Sequence, residues 1–436
     1  MKSPIASILG LACAASILTS SSAGAATRPI PLDVPAGPTT YTETPAWADS
    51  FVDSIGVDSA FEDRRYPPAV TTALEWSGIR HLRDSGATSQ LMINTFANLG
   101  QHGIRHSIGM VRGFDPNDLK ARLDAFAPYV DFVEGANEAD NFANPNYAQM
   151  NSDQVNLWNV IHSNPAYAKV AVYGPSFANP LKGVNVTPLD AVENFAQLHN
   201  STCDWNPGTT LANASIAANT AKIRLSSAYK PIVTTETGFS DNFTRGCSLN
   251  DTIIAKYVPR TSAERWLAGE SRTYFDILTD NPTDPVFGLL GLLKVDGTPK
   301  PQFLAEGNLI HILSDKGVAP LPRTISFGIS GATPDVHHLM LSRKDGSYDL
   351  MLWRELPAWD HFGHKAIPIA ALPVTVQIPS TTSWVGLFQV NANYGYTRTQ
   401  LPVTSSNGVT ATFNVSDSIS VLHIYGRGRA AMGITR

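Results

Sequence analysis

Two glutamates far apart in the chain stand where short apolar runs end. Val130-Asp131-Phe132-Val133-Glu134-Gly135-Ala136 leads into Asn137-Glu138, and Pro231-Ile232-Val233-Thr234-Thr235 leads into Glu236-Thr237-Gly238. A pair of carboxyl groups facing each other across one cleft is the equipment for cutting a glycosidic bond. The bridging oxygen needs a proton while the anomeric carbon needs a nucleophile or an activated water. Each glutamate alone has a plainer explanation, as a buried acid with its bonds satisfied or as a surface acid. Their shared position, each at the polar end of an apolar run, favours the pair.

Other chemistries lack their residues. The chain contains no His-Glu-x-x-His, no cysteine cluster, no Gly-x-x-x-x-Gly-Lys loop and no Gly-x-Ser-x-Gly elbow. His337-His338, and His361 with His364, are too sparse for a zinc site without further ligands. No metal and no cofactor is expected. With 32 Lys+Arg against 37 Asp+Glu and a net charge of −5, no basic excess exists to hold a phosphate backbone, so a nucleic-acid partner is not expected.

The elements that must position the glutamates follow from the alternation around them. Between Phe51 and Asp315 short β-branched runs alternate with segments of helical period. Eight candidate strands arise: Phe51 to Asp58, Ile79 to Asp84, Ile104 to Met110, Val130 to Gly135, Val170 to Tyr173, Phe195 to His199, Ile232 to Thr235 and Thr273 to Leu278. Helices are expected over Pro67 to Trp76, Gln90 to Gln101, Pro116 to Ala127, Ser152 to His162, Ser262 to Gly269 and Gln302 to Leu313. The count and spacing predict an α/β fold, a (β/α)8 TIM barrel over 47–315, in which strand C-termini carry the chemistry. The rival is a doubly wound sheet, but the first βα turn lacks its glycine-rich phosphate fingerprint. Beyond Gly317 the pattern becomes alternating strands separated by turns such as Ser406-Asn407-Gly408. An antiparallel β-sandwich over 316–436 is expected, completed by a strand from 26–46.

Residues 1–25 read as a secretory signal. Lys2 precedes an apolar run from Ile5 to Leu18, and Ala23-Gly24-Ala25 offers a cleavage site. The run is too short to span a bilayer, and no later stretch reaches ~18 apolar residues. A secreted protein, extracellular or periplasmic, without a membrane anchor is expected, and as a monomer. Cleavage leaves Cys203 and Cys247 as the only cysteines. Two cysteines in an exported chain are expected to pair, two buried thiols being the alternative.

Gly135-Ala136-Asn137-Glu138 and Thr235-Glu236-Thr237-Gly238 resemble the acid/base and nucleophile motifs of the clan A retaining glycoside hydrolases, the 4/7 superfamily, with members of families 39 and 5 the most similar. The likeness spans about Phe51 to Leu313 and takes in Ile79-Arg80-His81-Leu82-Arg83-Asp84, Arg272-Thr273-Tyr274-Phe275-Asp276 and Asp296-Gly297-Thr298-Pro299-Lys300-Pro301. It implies a double displacement on a poly- or oligosaccharide. Glu236 would attack the anomeric carbon, and Glu138 would protonate the leaving oxygen and later activate water, the carboxyls being ~5–5.5 Å apart. Asn137 would bond the sugar 2-hydroxyl, and Arg83 would keep Glu236 ionised.

His199 lies where the clan often carries a histidine after strand six, although the Tyr expected two residues on is missing; a loop histidine is the alternative. Tyr274 occupies a position beneath the sugar in the clan, with a core role as the alternative. Flat aromatic faces suit the C–H faces of sugars. Trp205 is the best-placed platform, with packing under its own loop as the alternative, and Trp359 is a second, exposed candidate. Two other functions fit the same pattern: a non-catalytic carbohydrate-binding barrel, and a transglycosylase using the same site.

Overall fold

The computed structural model describes residues 39–426 apart from 60, 62–66, 87, 111–113, 212, 244–246, 285–287, 379–381, 402–403 and 406–408. The expected signal segment lies outside the described residues. Eight parallel strands form the central sheet: β1 (Ile55–Asp58), β2 (His81–Arg83), β3 (Arg105–Met110), β4 (Val130–Ala136), β5 (Ala171–Tyr173), β6 (Ala196–His199), β7 (Ile232–Thr237) and β8 (Glu270–Phe275). They pair in the order β5-β4-β3-β2-β1-β8-β7-β6, and a parallel bridge between Tyr173 and Phe195 joins the two ends. The sheet thus closes into the expected barrel.

Each expected strand exists, with shifted ends. Phe51 and Val52 belong to a short helix, Ala48–Asp53, rather than to β1. That helix is held under the barrel by Asp49, which accepts two hydrogen bonds from the Arg80 guanidinium at 2.8 and 2.6 Å. The helix expected over Ser262 to Gly269 is the last part of a longer one, Asp251–Leu267, whose first turn is capped by the Asn250 side chain. No helix stands between β5 and β6 among the described residues; a 3-10 segment, Pro180–Asn185, lies there instead.

Layers of side chains fill the barrel. At the N-terminal end Arg272 pairs with Asp53 and Asp131, and His81 hydrogen-bonds both acids. Above it Phe132, Tyr173, Val233 and Tyr274 form an apolar layer, with the rings of Phe132 and Tyr173 stacked at 4.0 Å. Gly56 makes room for this layer, because a Cβ there would lie 2.5 Å from the Tyr274 ring. Nearer the C-terminal ends of the strands, Asp58, Arg83, Glu134 and Gln197 are joined by hydrogen bonds.

Of the remaining strands, two form a separate hairpin, Trp359–Asp360 with Lys365–Ala366, and the rest form two facing sheets. One runs Thr39–Glu43, Ile325–Ser330, Leu372–Ile378, Val409–Val415 and Thr404–Ser405; the other runs Tyr396–Gln400, Thr382–Val390, Ser420–Gly426, Tyr348–Arg354, Val336–Ser342 and Ala46–Trp47. Pairing is antiparallel except for the last strand. Phe327, Ile329, Leu350, Leu352 and Val376 from the two sheets meet in one apolar core. The strand expected from the N-terminal segment is Thr39–Glu43, paired with Ile325–Ser330.

Candidate active site

Glu138 is aimed by a sharp turn at the end of β4. Its backbone sits in the left-handed region (φ 44°, ψ 38°), a conformation that costs a non-glycine residue of order 1–3 kcal/mol and persists only where the surroundings enforce it. They do so here through two bonds. The Glu138 N–H donates to Ser176 Oγ at 3.1 Å, and the Glu138 carbonyl accepts from Asn141 N at 2.9 Å. Gly135 allows the close approach this turn needs, since a Cβ there would meet Gln154 Oε1 at 2.3 Å and Pro175 N at 2.9 Å. Glu236 comes from β7, one residue after Thr235, whose hydroxyl accepts from Gln197 Nε2 at 2.7 Å.

The two carboxyl groups meet. An oxygen of Glu138, one of Glu236 and a ring nitrogen of His199 all lie within 4.8 Å of one another. His199 Nδ1 is 2.8 Å from Glu138 Oε1 and 3.3 Å from Glu236 Oε2, so a proton on Nδ1 is shared between them. Asn141 Nδ2 donates to the other Glu138 oxygen at 3.0 Å.

Arg83 organises the floor beneath them. Its guanidinium donates to Glu236 Oε1 at 2.7 Å, to Asn137 Oδ1 at 2.7 Å, to both Glu134 oxygens at 3.0 and 2.8 Å and to Asp58 Oδ2 at 3.1 Å. One buried cation therefore faces three carboxylates, and Gln197 Nε2 donates to Glu134 at 2.6 Å. The Asn137 amide oxygen accepts from Arg83 and also from Ser176 Oγ at 3.2 Å. That orientation leaves its Nδ2 donor uncommitted among the described residues.

Charge follows the geometry. Burial alone would raise the pKa of Glu236, but the positive charges of His199 and Arg83 outweigh it and hold the carboxyl below its ordinary value. Burial opposes a charge on His199, yet Glu236 and Glu138 prevail and raise its pKa. Asp58 is pushed well above the carboxylate range by burial, and by Asp276, Glu236 and Glu134 against the pull of Arg83. The layer thus favours an ionised Glu236 beside the Arg83 cation and disfavours a charge on Asp58.

The structure brings together Glu138, Glu236, Asn137, Arg83 and His199. It does not bring Tyr274 to them. That ring is fully buried in the apolar layer, with Arg272 Nη1 at 3.4 Å from its hydroxyl, because alternation along β8 turns it into the barrel one layer too low to touch a sugar. Trp205 is half-buried and stacks on the His361 ring at 4.5 Å rather than on the carboxyl groups. Trp359 was expected to be exposed; it is 4% exposed, packed where a hairpin meets the barrel. Cys203 and Cys247 form a disulfide with Cα atoms 4.7 Å apart, tying the loop after β6 to the loop after β7.

Asp58, Glu134, Gln197, Ser176 and Asn141 belong to the site and were not singled out from the sequence. A signal existed for two of them. Asp58 ends β1 as Glu236 ends its own run, and Glu134 shares the inward parity of Phe132 on β4.

Glu138, His199 and Glu236 are also close enough to share a cation, as are Cys203, Asp204 and Cys247. The two cysteines are committed to their disulfide, and at Glu236 the Arg83 guanidinium already supplies positive charge.

No family model and no curated protein matches the chain. Solved structures do. A family 39 glycoside hydrolase from the gut symbiont Bacteroides cellulosilyticus WH2 superposes with a TM-score of 0.58 at 13% identity, over 88% of this chain and 83% of that one. A glucosidase from Croceicoccus marinus gives 0.60 at 11% identity, over 88% and 97%. A GH30 endoxylanase from Clostridium papyrosolvens C71 gives 0.51 at 15% identity, over 86% and 96%. At such identities the likeness is one of fold, and the fold is the one that the motifs implied, that of clan A glycoside hydrolases similar to family 39.

Proposed function

We propose that the protein is a secreted retaining glycoside hydrolase that cleaves a poly- or oligosaccharide, its catalytic unit being the barrel over 47–315. The observation that carries this reading is the approach of a Glu138 oxygen to a Glu236 oxygen within 4.8 Å. That suits the close pair of a retaining enzyme and leaves no room for the water that an inverting pair, ~6.5–9.5 Å apart, must hold between its carboxyls.

In the first step Glu236, held ionised by Arg83 and His199, attacks the anomeric carbon. The C–O bond to the leaving group breaks, and the leaving oxygen takes the proton of Glu138. A neutral Glu138 accepts from His199 and Asn141 on its two oxygens and still directs its O–H at the substrate. In the second step Glu138, now a carboxylate, takes a proton from water, and the hydroxide displaces Glu236 from the same carbon. Two inversions return the original anomer. The free Asn137 Nδ2 donates to the sugar 2-hydroxyl as positive charge grows on the ring. Because that bond strengthens in the transition state, Asn137→Ala is expected to lower kcat by about 10²-fold or more with a smaller change in KM.

The pH profile tests the electrostatics. Glu236 must be ionised to attack, and His199 helps to hold its pKa down. In His199→Asn that charge is gone, so the carboxyl protonates at a higher pH. The acid limb of kcat/KM should move upward relative to wild type; an unmoved limb would separate His199 from the nucleophile. The reading as a whole is tested by incubating the purified protein with a polysaccharide panel and sizing the products. Longer products would favour transfer to a second sugar, and tight binding without cleavage would favour a lectin-like barrel.

A further inference from the structure

The loops after β6 and β7 meet a hairpin from the C-terminal sheets. Its short strands, Trp359–Asp360 and Lys365–Ala366, are joined by a turn in which Asp360 Oδ1 accepts from the N–H groups of Phe362 at 3.1 Å and Gly363 at 2.9 Å. The hairpin is locked onto the barrel by buried polar contacts. His361 Nδ1 lies 2.6 Å from Asp204 Oδ1, and its ring stacks on Trp205 at 4.5 Å. At the base of the hairpin, Glu355 Oε1 accepts from Asn206 Nδ2 and from Gly208 N, both at 2.8 Å, while Arg260 Nε donates to its other oxygen at 2.8 Å. Arg260 is fully buried and Glu355 nearly so.

This rigid mounting leaves its aromatic rings uncovered. Phe362, edge-on to His361 at 5.0 Å, is 86% exposed, and Phe243, 6.1 Å from the Trp359 ring, is 55% exposed. Trp205 is partly buried, stacked on the His361 ring at 4.5 Å. Isolated exposed aromatics need no explanation, but rings from three separate segments gathered at one rim form a surface. Trp359 adds a second observation: its indole N–H is buried and has no hydrogen-bond partner among the described residues. A donor in that condition calls for an oxygen. Trp205 follows His199 by six residues, so the chain holds it at most about 20 Å from the carboxyl pair.

We propose that Trp205, Phe243, His361 and Phe362 form a distal subsite that takes a further ring of the carbohydrate chain, one that does not contain the bond being cut. Rigid aromatic faces match the C–H face of a sugar. The sandwich is thereby part of the substrate cleft, and the favoured substrate is an oligomer rather than a single glycoside. This inference rests on the glycosidase reading and gives it a chain-length preference.

The test compares xylotetraose, cellotetraose and laminaritetraose with the matching 4-nitrophenyl monoglycosides, for wild type, Phe362→Ala and Phe243→Ala, with tetrasaccharide binding followed by tryptophan fluorescence. Both side chains are largely exposed, so their loss leaves the fold intact. The expected result is that the ratio of kcat/KM on the preferred tetrasaccharide to that on the monoglycoside falls about tenfold in each variant, with a matching loss of binding. A wild type that binds a tetrasaccharide without cutting it, with the same weakening in the variants, would overturn the hydrolase reading and support the subsite. Ratios and binding equal to wild type in both variants would overturn the subsite and leave hydrolysis standing. Loss of a dimer in Phe362→Ala on size-exclusion chromatography, with binding unchanged, would identify the rings as a subunit contact and overturn the subsite as well. Cleavage and binding absent from wild type for every sugar would overturn both.

Discussion

Glu236→Gln is expected to abolish hydrolysis of an unactivated glycoside, lowering kcat by about 10⁴-fold or more, because the amide cannot form the glycosyl-enzyme bond. Glu138→Ala should cost less, about 10²–10⁴-fold, the range for loss of a positioned proton donor. The two variants differ in what rescues them. With an activated leaving group, Glu138→Ala still forms the glycosyl-enzyme, and added azide can then displace Glu236 without the help of a base, giving a glycosyl azide of retained configuration. In Glu236→Gln, azide has no covalent intermediate to intercept and can attack only directly, with inversion. Wild-type rates in either variant, or retained azide product from Glu236→Gln, would contradict the assigned roles. The approach of the carboxyl oxygens to within 4.8 Å and the Arg83 bond to Glu236 are what support assigning the roles in this direction.

The second large effect concerns the floor of the site. Arg83→Ala removes the one guanidinium that bonds Asp58, Glu134, Asn137 and Glu236. Removing one partner of a buried ion pair leaves an uncompensated charge, and the expected loss is about 3–5 kcal/mol of folding stability, read as a lower midpoint in urea unfolding. Adding Glu134→Gln removes part of the stranded charge, so the double variant should recover part of the loss. An unfolding midpoint equal to that of wild type in Arg83→Ala would mean that the network carries no strain on charge removal. The same substitution takes away a cation that lowers the pKa of Glu236, so any residual activity should need a higher pH.

The parts of this molecule that could be read from sequence are those whose burial leaves a pattern. Barrel strands such as Ile232–Thr237 are short β-branched or apolar runs bounded by polar residues, and all eight were located. The helix Asp251–Leu267 was found only at its end. It lies between barrel and sandwich and is buried on most sides, from Ile253 to Arg265, so it has no polar stripe to mark its period, and Pro259 within it reads as a break.

The site divides in the same way. Glu138 and Glu236 were legible as a pair from their type and strand-end positions, and Asn137 through the resemblance of its motif; the structure brings the three together. Asp58 and Glu134 were not, since an acid in a sequence looks like a surface residue until barrel closure turns it inward toward Arg83. Tyr274 misled for a related reason: the parity of β8 was readable, but the layer on which the ring would land was not. The stacking of Trp205 on His361 joins residues 156 positions apart, a contact that no local pattern announces.

The most direct test of the carboxyl pair is the configuration of the first product formed, followed by proton NMR of the anomeric signals during the earliest turnover, before the free sugar equilibrates. Two displacements at one carbon predict that the product first appears with the anomeric configuration of the substrate. First appearance of the opposite anomer would mean that water attacked directly, and that Glu236 is not the nucleophile.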